Sequence, residues 1–133
     1  MWSLAIARVQ AAGLHPHFGC LHVPSVRHAA LVSDLVEEFR APIVDSLVLT
    51  LVNQNYLSPK DFAPPDGRGA VLLHPQGLKV FLKHWQARLS TRVMYPALKE
   101  RVVYRRVLEL QVWEYVEALS GDREMYRPFQ VKP

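Results

Sequence analysis

Residues 28–53, HAALVSDLVEEFRAPIVDSLVLTLVN, decide the fold. Leu31, Leu35, Phe39, Ile43, Leu47 and Leu51 recur at every fourth position, with Val32, Val36, Val44, Val48 and Val52 beside them. Residues four apart share one face of an α-helix, so the spacing predicts a long amphipathic helical run. Pro42 lies inside it. A proline has no N–H to donate and its ring crowds the preceding turn, so a kink or a division into two helices is expected near Arg40 and Ala41. At 100° per residue, Leu31, Val32, Leu35, Val36 and Phe39 form one face, and Asp34, Glu37 and Glu38 form the opposite one.

The flanking sequence reads the same way. Trp2 to Ala12 has the pattern of the end of a helix, stopped by Gly13. Met1 is followed directly by helical pattern without an N-cap, as in a chain opened in mid-element. Leu14 to Arg27 is a loop punctuated by Pro16, Gly19 and Pro24. Asn53 to Ala70, broken by three prolines and two glycines, is expected to be irregular with at most a turn of helix. Pro75 suits the first turn of a helix running to about Ser90, with Leu78, Phe81, Leu82, Trp85 and Leu89 inward. A last helix is expected from about Tyr95 to Leu119, ending at Ser120-Gly121 before an irregular tail to Pro133. The predicted architecture is a single all-α domain over residues 1–133, a bundle of four or five helices around one core.

Composition narrows the class. Half of the 133 residues are hydrophobic and 21% are charged, a globular rather than a disordered balance. No run of 18 apolar residues exists, and the first residues lack the pattern of a secretory signal. Cys20 is the single cysteine, so no internal disulfide forms and a reducing cytoplasm is the expected compartment. The formal charge is +4, and 11 of the 16 basic residues are arginine. Arginine pairs bidentately with phosphate, which makes nucleic acid the leading partner class.

The chemistry concentrates between Gly13 and Arg40. His22, in the loop, precedes a helix bearing Asp34, Glu37 and Glu38, and residues three and four apart are neighbours on a helix surface. Imidazole with carboxylate oxygens suits magnesium, manganese or zinc, ions that activate water or a hydroxyl against a phosphodiester. The same acidic face is equally what a solvated helix surface looks like, and spacing alone leaves both open. Cys20 reads as a small buried hydrophobe, since no second cysteine completes a zinc pair.

The strings GLHPHFGCLHVP (13–24) and LVSDLVEEFRAPIVDSLVLTLVNQ (31–54) resemble the signature of the CRISPR-associated adaptation endonuclease/integrase family, which runs GLDPxxGFLH and then DLxEeFRPxxVD. GAVLLHPQGLKVFLKHWQARL (69–89) and YRRVLELQVWEYVEALSGDREMYRPF (104–129) look like its last two helices and tail. The resemblance implies the helical carboxyl-terminal catalytic domain, with the β-rich amino-terminal domain absent, of a prokaryotic nuclease serving antiviral defence. It implies three metal ligands for Mg2+ or Mn2+: a glutamate from an upstream helix, the loop histidine, and an acidic residue on the following helix. The last two map to His22 and Glu37, with Asp34 beside the metal; the upstream glutamate has no counterpart in the chain. His15 stands where the family usually has aspartate, and Cys20 where an aromatic is common. Expected partners are spacer-precursor and repeat DNA, further copies of the subunit, and a small adaptation partner protein. Candidate DNA contacts are Arg27 and His28 beside the site, Arg40 one turn after Glu37, Lys83 and Arg88, and Arg105 in a cluster with Arg101 and Arg106. Singly, each is also a plain surface charge. Two functions follow: a metal-dependent nuclease/integrase domain, or a non-catalytic helical remnant that binds DNA or a partner chain.

Overall fold

The computed structural model describes residues 1–23, 25 and 28–130. Its elements are α1 (Trp2–Ala11), α2 (Ala30–Phe39), a π-helical segment (Arg40–Asp45), α3 (Ser46–Asn53), a 3-10 turn (Pro59–Asp61), α4 (Pro75–Leu89), β1 (Arg92–Tyr95), β2 (Glu100–Val103) and α5 (Tyr104–Ser120). Among the described residues no helix is long and apolar enough to cross a membrane.

The long apolar run behaves as its period requires, with the break at the expected place. Around Pro42 the helix widens into the π segment, which absorbs the missing N–H. Ser46 Oγ donates to the Pro42 carbonyl at 2.7 Å and helps satisfy the disturbed ladder. The apolar stripe of α2 (Leu31, Val32, Leu35 and Phe39) continues through Ile43 and packs with Ala5 and Val9 of α1 and Val107, Leu108 and Val112 of α5 in one core. Leu47, Leu51 and Leu57 form a second, smaller cluster against Phe81 and Trp85.

The all-α expectation is wrong. Residues 92–103, expected to lie mostly in the last helix, form an antiparallel hairpin with Arg92 opposite Val103 and Tyr95 opposite Glu100. The fold is therefore mixed α/β, and α5 starts at Tyr104 rather than near Tyr95. Val93 and Val102 lie opposite each other and, with Tyr95, face the main core, so the hairpin buries one face by period-two alternation. Leu98, expected on a helix, is half exposed in the hairpin turn. Leu78 and Leu82 of α4 are also exposed rather than inward. α5 ends as predicted at Gly121, whose φ of 82° is the left-handed cap that glycine adopts at least cost.

Candidate active site

The site begins with a glycine. A Cβ on Gly19 would stand 2.5 Å from an Asp34 carboxylate oxygen and 2.7 Å from the Ala30 carbonyl carbon. Only glycine lets the loop come this close to the start of α2. Leu31 N–H, donating to the Pro16 carbonyl at 3.1 Å, secures the same approach.

Three successive backbone N–H groups consequently converge on Asp34: Cys20 at 2.6 Å, Leu21 at 3.1 Å and His22 at 3.0 Å. The His22 ring adds a fourth donor, Nδ1 to Asp34 Oδ1 at 2.6 Å. Burial alone would raise the Asp34 pKa, but the His22 ring and the backbone donors outweigh it and hold the carboxyl below its ordinary range. An ionised carboxylate only accepts, so His22 Nδ1 carries a proton, and in the neutral ring Nε2 is the nitrogen with the free lone pair. The imidazole side chain is 37% exposed, leaving that nitrogen accessible.

This is the way a metal-ligating histidine is commonly prepared, with a carboxylate fixing tautomer and ring. The roughly four acceptor positions of Asp34 are all occupied, so it orients His22 and is not itself free to ligate. Glu37, one turn on, is half exposed, and among the described residues its polar contact is a loose ion pair to Arg40 at 3.5 Å. His22 and Asp34 are thus brought into direct contact and Glu37 is not bonded to either. Among the described residues no three His, Cys, Asp or Glu side chains gather into a metal set. Imidazole and carboxylate are donor types that suit a divalent ion whose remaining shell is water or phosphate oxygen.

Cys20 is exposed, against the buried position expected from its size. The loop turns its thiol outward to Tyr115 of α5, with Sγ 3.3 Å from the hydroxyl. Burial first, and the thiol second, push the Tyr115 phenol up to about 12. Tyr115 meets Tyr126 of the tail edge to face, centroids 5.8 Å apart.

Glu38 also departs from expectation. Instead of lying on a solvated face, it accepts hydrogen bonds from Tyr126 Oη, from Gln111 Nε2 at 3.0 Å and from the Phe129 N–H at 2.8 Å. Gln111, only 1% exposed, also accepts from Tyr95 Oη at 2.8 Å. Burial raises the Glu38 pKa against the pull of these donors. The tail is thereby clasped to α2 and α5 behind the site. Sequence gave no local signal for this clasp, because its members lie 73 to 91 residues from Glu38.

Of the expected DNA contacts, Arg27 lies outside the described residues. His28 is half-buried, its ring 5.6 Å from that of His22 and its Nε2 3.1 Å from Ser33 Oγ. Arg40 is exposed beside Glu37. Lys83 and Arg88 lie on α4, and Arg105 is exposed at the start of α5. Among the described residues, His28 and Arg40 are the expected contacts that adjoin the site.

Comparison with known proteins decides the family. Residues 1–87 match the family described as CRISPR associated protein Cas1. The chain belongs to the Cas1 family. A CRISPR-associated endonuclease Cas1 of Thermus thermophilus is 37% identical over 121 residues, which is 91% of this chain and 36% of that relative. The chain spans little more than a third of the curated relatives it matches. Among solved structures, a Cas1 protein from Thermotoga maritima superposes with a TM-score of 0.79 at 26% identity, covering 90% of this chain and 36% of its own. A casposase bound to integration product gives 0.83 at 25% identity, covering 98% of this chain and 38% of its own.

Proposed function

We propose that this Cas1 domain is the histidine- and carboxylate-bearing part of a metal-dependent DNA endonuclease and integrase that inserts DNA fragments at a CRISPR array. The relatives named as endonucleases, and the casposase solved with integration product, support that reading. The observation that carries it is Asp34 bonded to the His22 ring at Nδ1, which leaves Nε2 as the nitrogen turned away from the carboxylate.

In this reading His22 and Glu37 hold the ion, Mg2+ or Mn2+, and Asp34 positions His22. The ion, when bound, supplies Lewis-acid stabilisation of charge at the reacting phosphodiester. Asp34 keeps the imidazole from rotating and holds its neutral form in the Nδ1–H tautomer, so Nε2 is pre-set as the ligand nitrogen. Arg40 sits one turn after Glu37, where its guanidinium restrains that carboxylate in the free protein and pairs with a DNA phosphate when substrate is present. The resemblance supplies the remaining ligand, a glutamate on a preceding helix, and the partners: DNA, further Cas1 subunits and a small adaptation protein. Among the described residues no three candidate ligands gather, which favours a weakly held ion and little turnover by this chain alone.

Cleavage of branched DNA with Mg2+ or Mn2+ tests this on three samples: this chain, the chain extended by a family helix carrying the glutamate, and the extended His22→Ala variant. Cleavage by the extended chain alone is the expected result. An inactive extended chain supports the non-catalytic alternative, and activity surviving His22→Ala refutes the site.

A further inference from the structure

The arginines fall into two groups. Arg8, Arg40, Arg106, Arg123 and Arg127 each meet a carboxylate. Among the described residues Arg68, Arg88, Arg92, Arg101 and Arg105 have no ion-pair partner, and four of these five lie on or beside the β1–β2 hairpin. Arg88 is in the last turn of α4, four residues before the start of β1. Arg105 is the second residue of α5, directly after β2.

The hairpin register explains how the charge is displayed. Val93, Tyr95 and Val102 turn to the core, so the alternate positions Arg92, Met94 and Arg101 share the outer face. Arg101 lies opposite Met94 and is the diagonal neighbour of Arg92. Both arginines line one shallow hollow of about 240 Å3 with Met94 and Gln130. Like charges on one strand face repel, and here no acidic side chain relieves them. The turn adds Lys99 with φ 54°, a left-handed conformation that glycine would take more cheaply. Packing requires none of these choices; the inner face holds the hairpin without them.

We infer that the outer face of this hairpin, Arg92 and Arg101 with Lys99 and Arg105 at its ends, is a second nucleic-acid surface that grips the phosphate backbone of duplex DNA. It deepens the reading of the protein as a DNA enzyme and rests on it. The occupant is chosen by charge complementarity: guanidinium forks match phosphate oxygens, and the one carboxylate of the hairpin, Glu100, is paired in register with Tyr95 on the alternate face from Arg101. The surface is separate from the site. It begins at the first turn of α5, whereas Tyr115, which touches the His22 loop, lies 11 residues further along that helix, roughly 16 Å at 1.5 Å per residue. That distance is about five base pairs of duplex, at ~3.4 Å each.

The test is duplex-DNA affinity of the full chain from 50 to 200 mM salt, by fluorescence anisotropy. Each phosphate contact contributes about 0.9 to the slope of log affinity against log salt, so Arg92→Gln/Arg101→Gln lowers the slope by about 1.8. Over this fourfold range the unsubstituted chain then loses about 12-fold more affinity than the variant. Arg92→Lys/Arg101→Lys keeps the slope, and Lys60→Gln/Arg68→Gln, which removes the same charge elsewhere, leaves it within error. An unchanged slope in the first variant, or an equal drop in the Lys60/Arg68 control, overturns the inference; a carboxylate-rich protein would then be the partner to seek. His22→Ala separates the two claims: it removes cleavage in the extended chain and leaves the slope intact. A normal slope effect with no cleavage anywhere would fail the catalytic reading while the hairpin surface stands.

Discussion

Gln111→Leu removes the amide at the centre of the tail clasp while nearly preserving its volume. Gln111 Oε1 is the acceptor of the Tyr95 hydroxyl, and its Nε2 serves Glu38 Oε2, Tyr126 Oη and the Arg127 carbonyl. The Arg127 carbonyl and the Tyr126 hydroxyl keep other options, so they cost little. The Tyr95 hydroxyl, on a residue 4% exposed, is left without an acceptor, a loss of about 1–3 kcal/mol. Glu38 keeps two of its three donors, and losing a hydrogen bond to a carboxylate costs about 1.5–3 kcal/mol. Added apolar burial of the leucine returns about 1 kcal/mol. The net expectation is about 3 kcal/mol. With an unfolding entropy near 2.1 cal/mol/K per residue over 133 residues, this lowers Tm by about 10 °C. Urea unfolding followed by tryptophan fluorescence gives the free energy directly. In a double-mutant cycle with Tyr95→Phe, the two changes should be less than additive by about 1 kcal/mol, because the second removes the orphan the first creates. A loss under 1 kcal/mol, or strict additivity, would refute the clasp as the anchor of the tail.

Gly19→Ala should cost about 2–4 kcal/mol, because its Cβ would press on the Asp34 carboxylate and the Ala30 backbone, and thermal unfolding measures it. Asp34→Ala leaves three loop N–H groups and the His22 ring without their acceptor; a loss of about 2–4 kcal/mol and faster amide exchange at residues 20–22 are expected, read by hydrogen exchange. The Tyr95 phenol, pushed up to about 12 chiefly by burial, predicts alkaline weakening. The folded pKa exceeds the unfolded value of 10.0, so its contribution is complete below pH 10 and is lost as pH rises toward 12, about 2–3 kcal/mol in all. Tyr95→Phe should flatten that decline in urea titrations between pH 9 and 12.

What the sequence made legible follows from range of interaction. The four-residue period of Leu31 to Leu51, the break at Pro42, the helix start at Pro75 and the stop at Gly121 are local effects, and each was readable. The hairpin was not. Tyr95, Leu98 and Val102 sit at helical spacing, while Val93, Tyr95 and Val102 fit strand alternation, and the Pro96–Lys99 turn lacks the Asn-Gly or Asp-Gly pair that would have marked it. His22, Asp34 and Glu37 are legible together, with His22 and Glu37 as the implied ligands, but the direct contact of Asp34 with the His22 ring is not. That depends on how closely Gly19 lets the loop approach. Glu38 resembled its acidic neighbours because its partners come from the other end of the chain, and Cys20 was misplaced because size predicts burial only on average.

The central claim is that Asp34 presents His22 Nε2 to a divalent ion. It is tested most directly by nitrogen-15 spectra of the histidine rings during a Mn2+ titration, which detects even a weakly held ion. The account predicts a His22 ring protonated at Nδ1 with a free Nε2, and His22 signals broadened by Mn2+ well before those of His74 and His84. Asp34→Ala should abolish both properties. A His22 ring protonated at Nε2, or broadening no earlier than at His74 and His84, would contradict it.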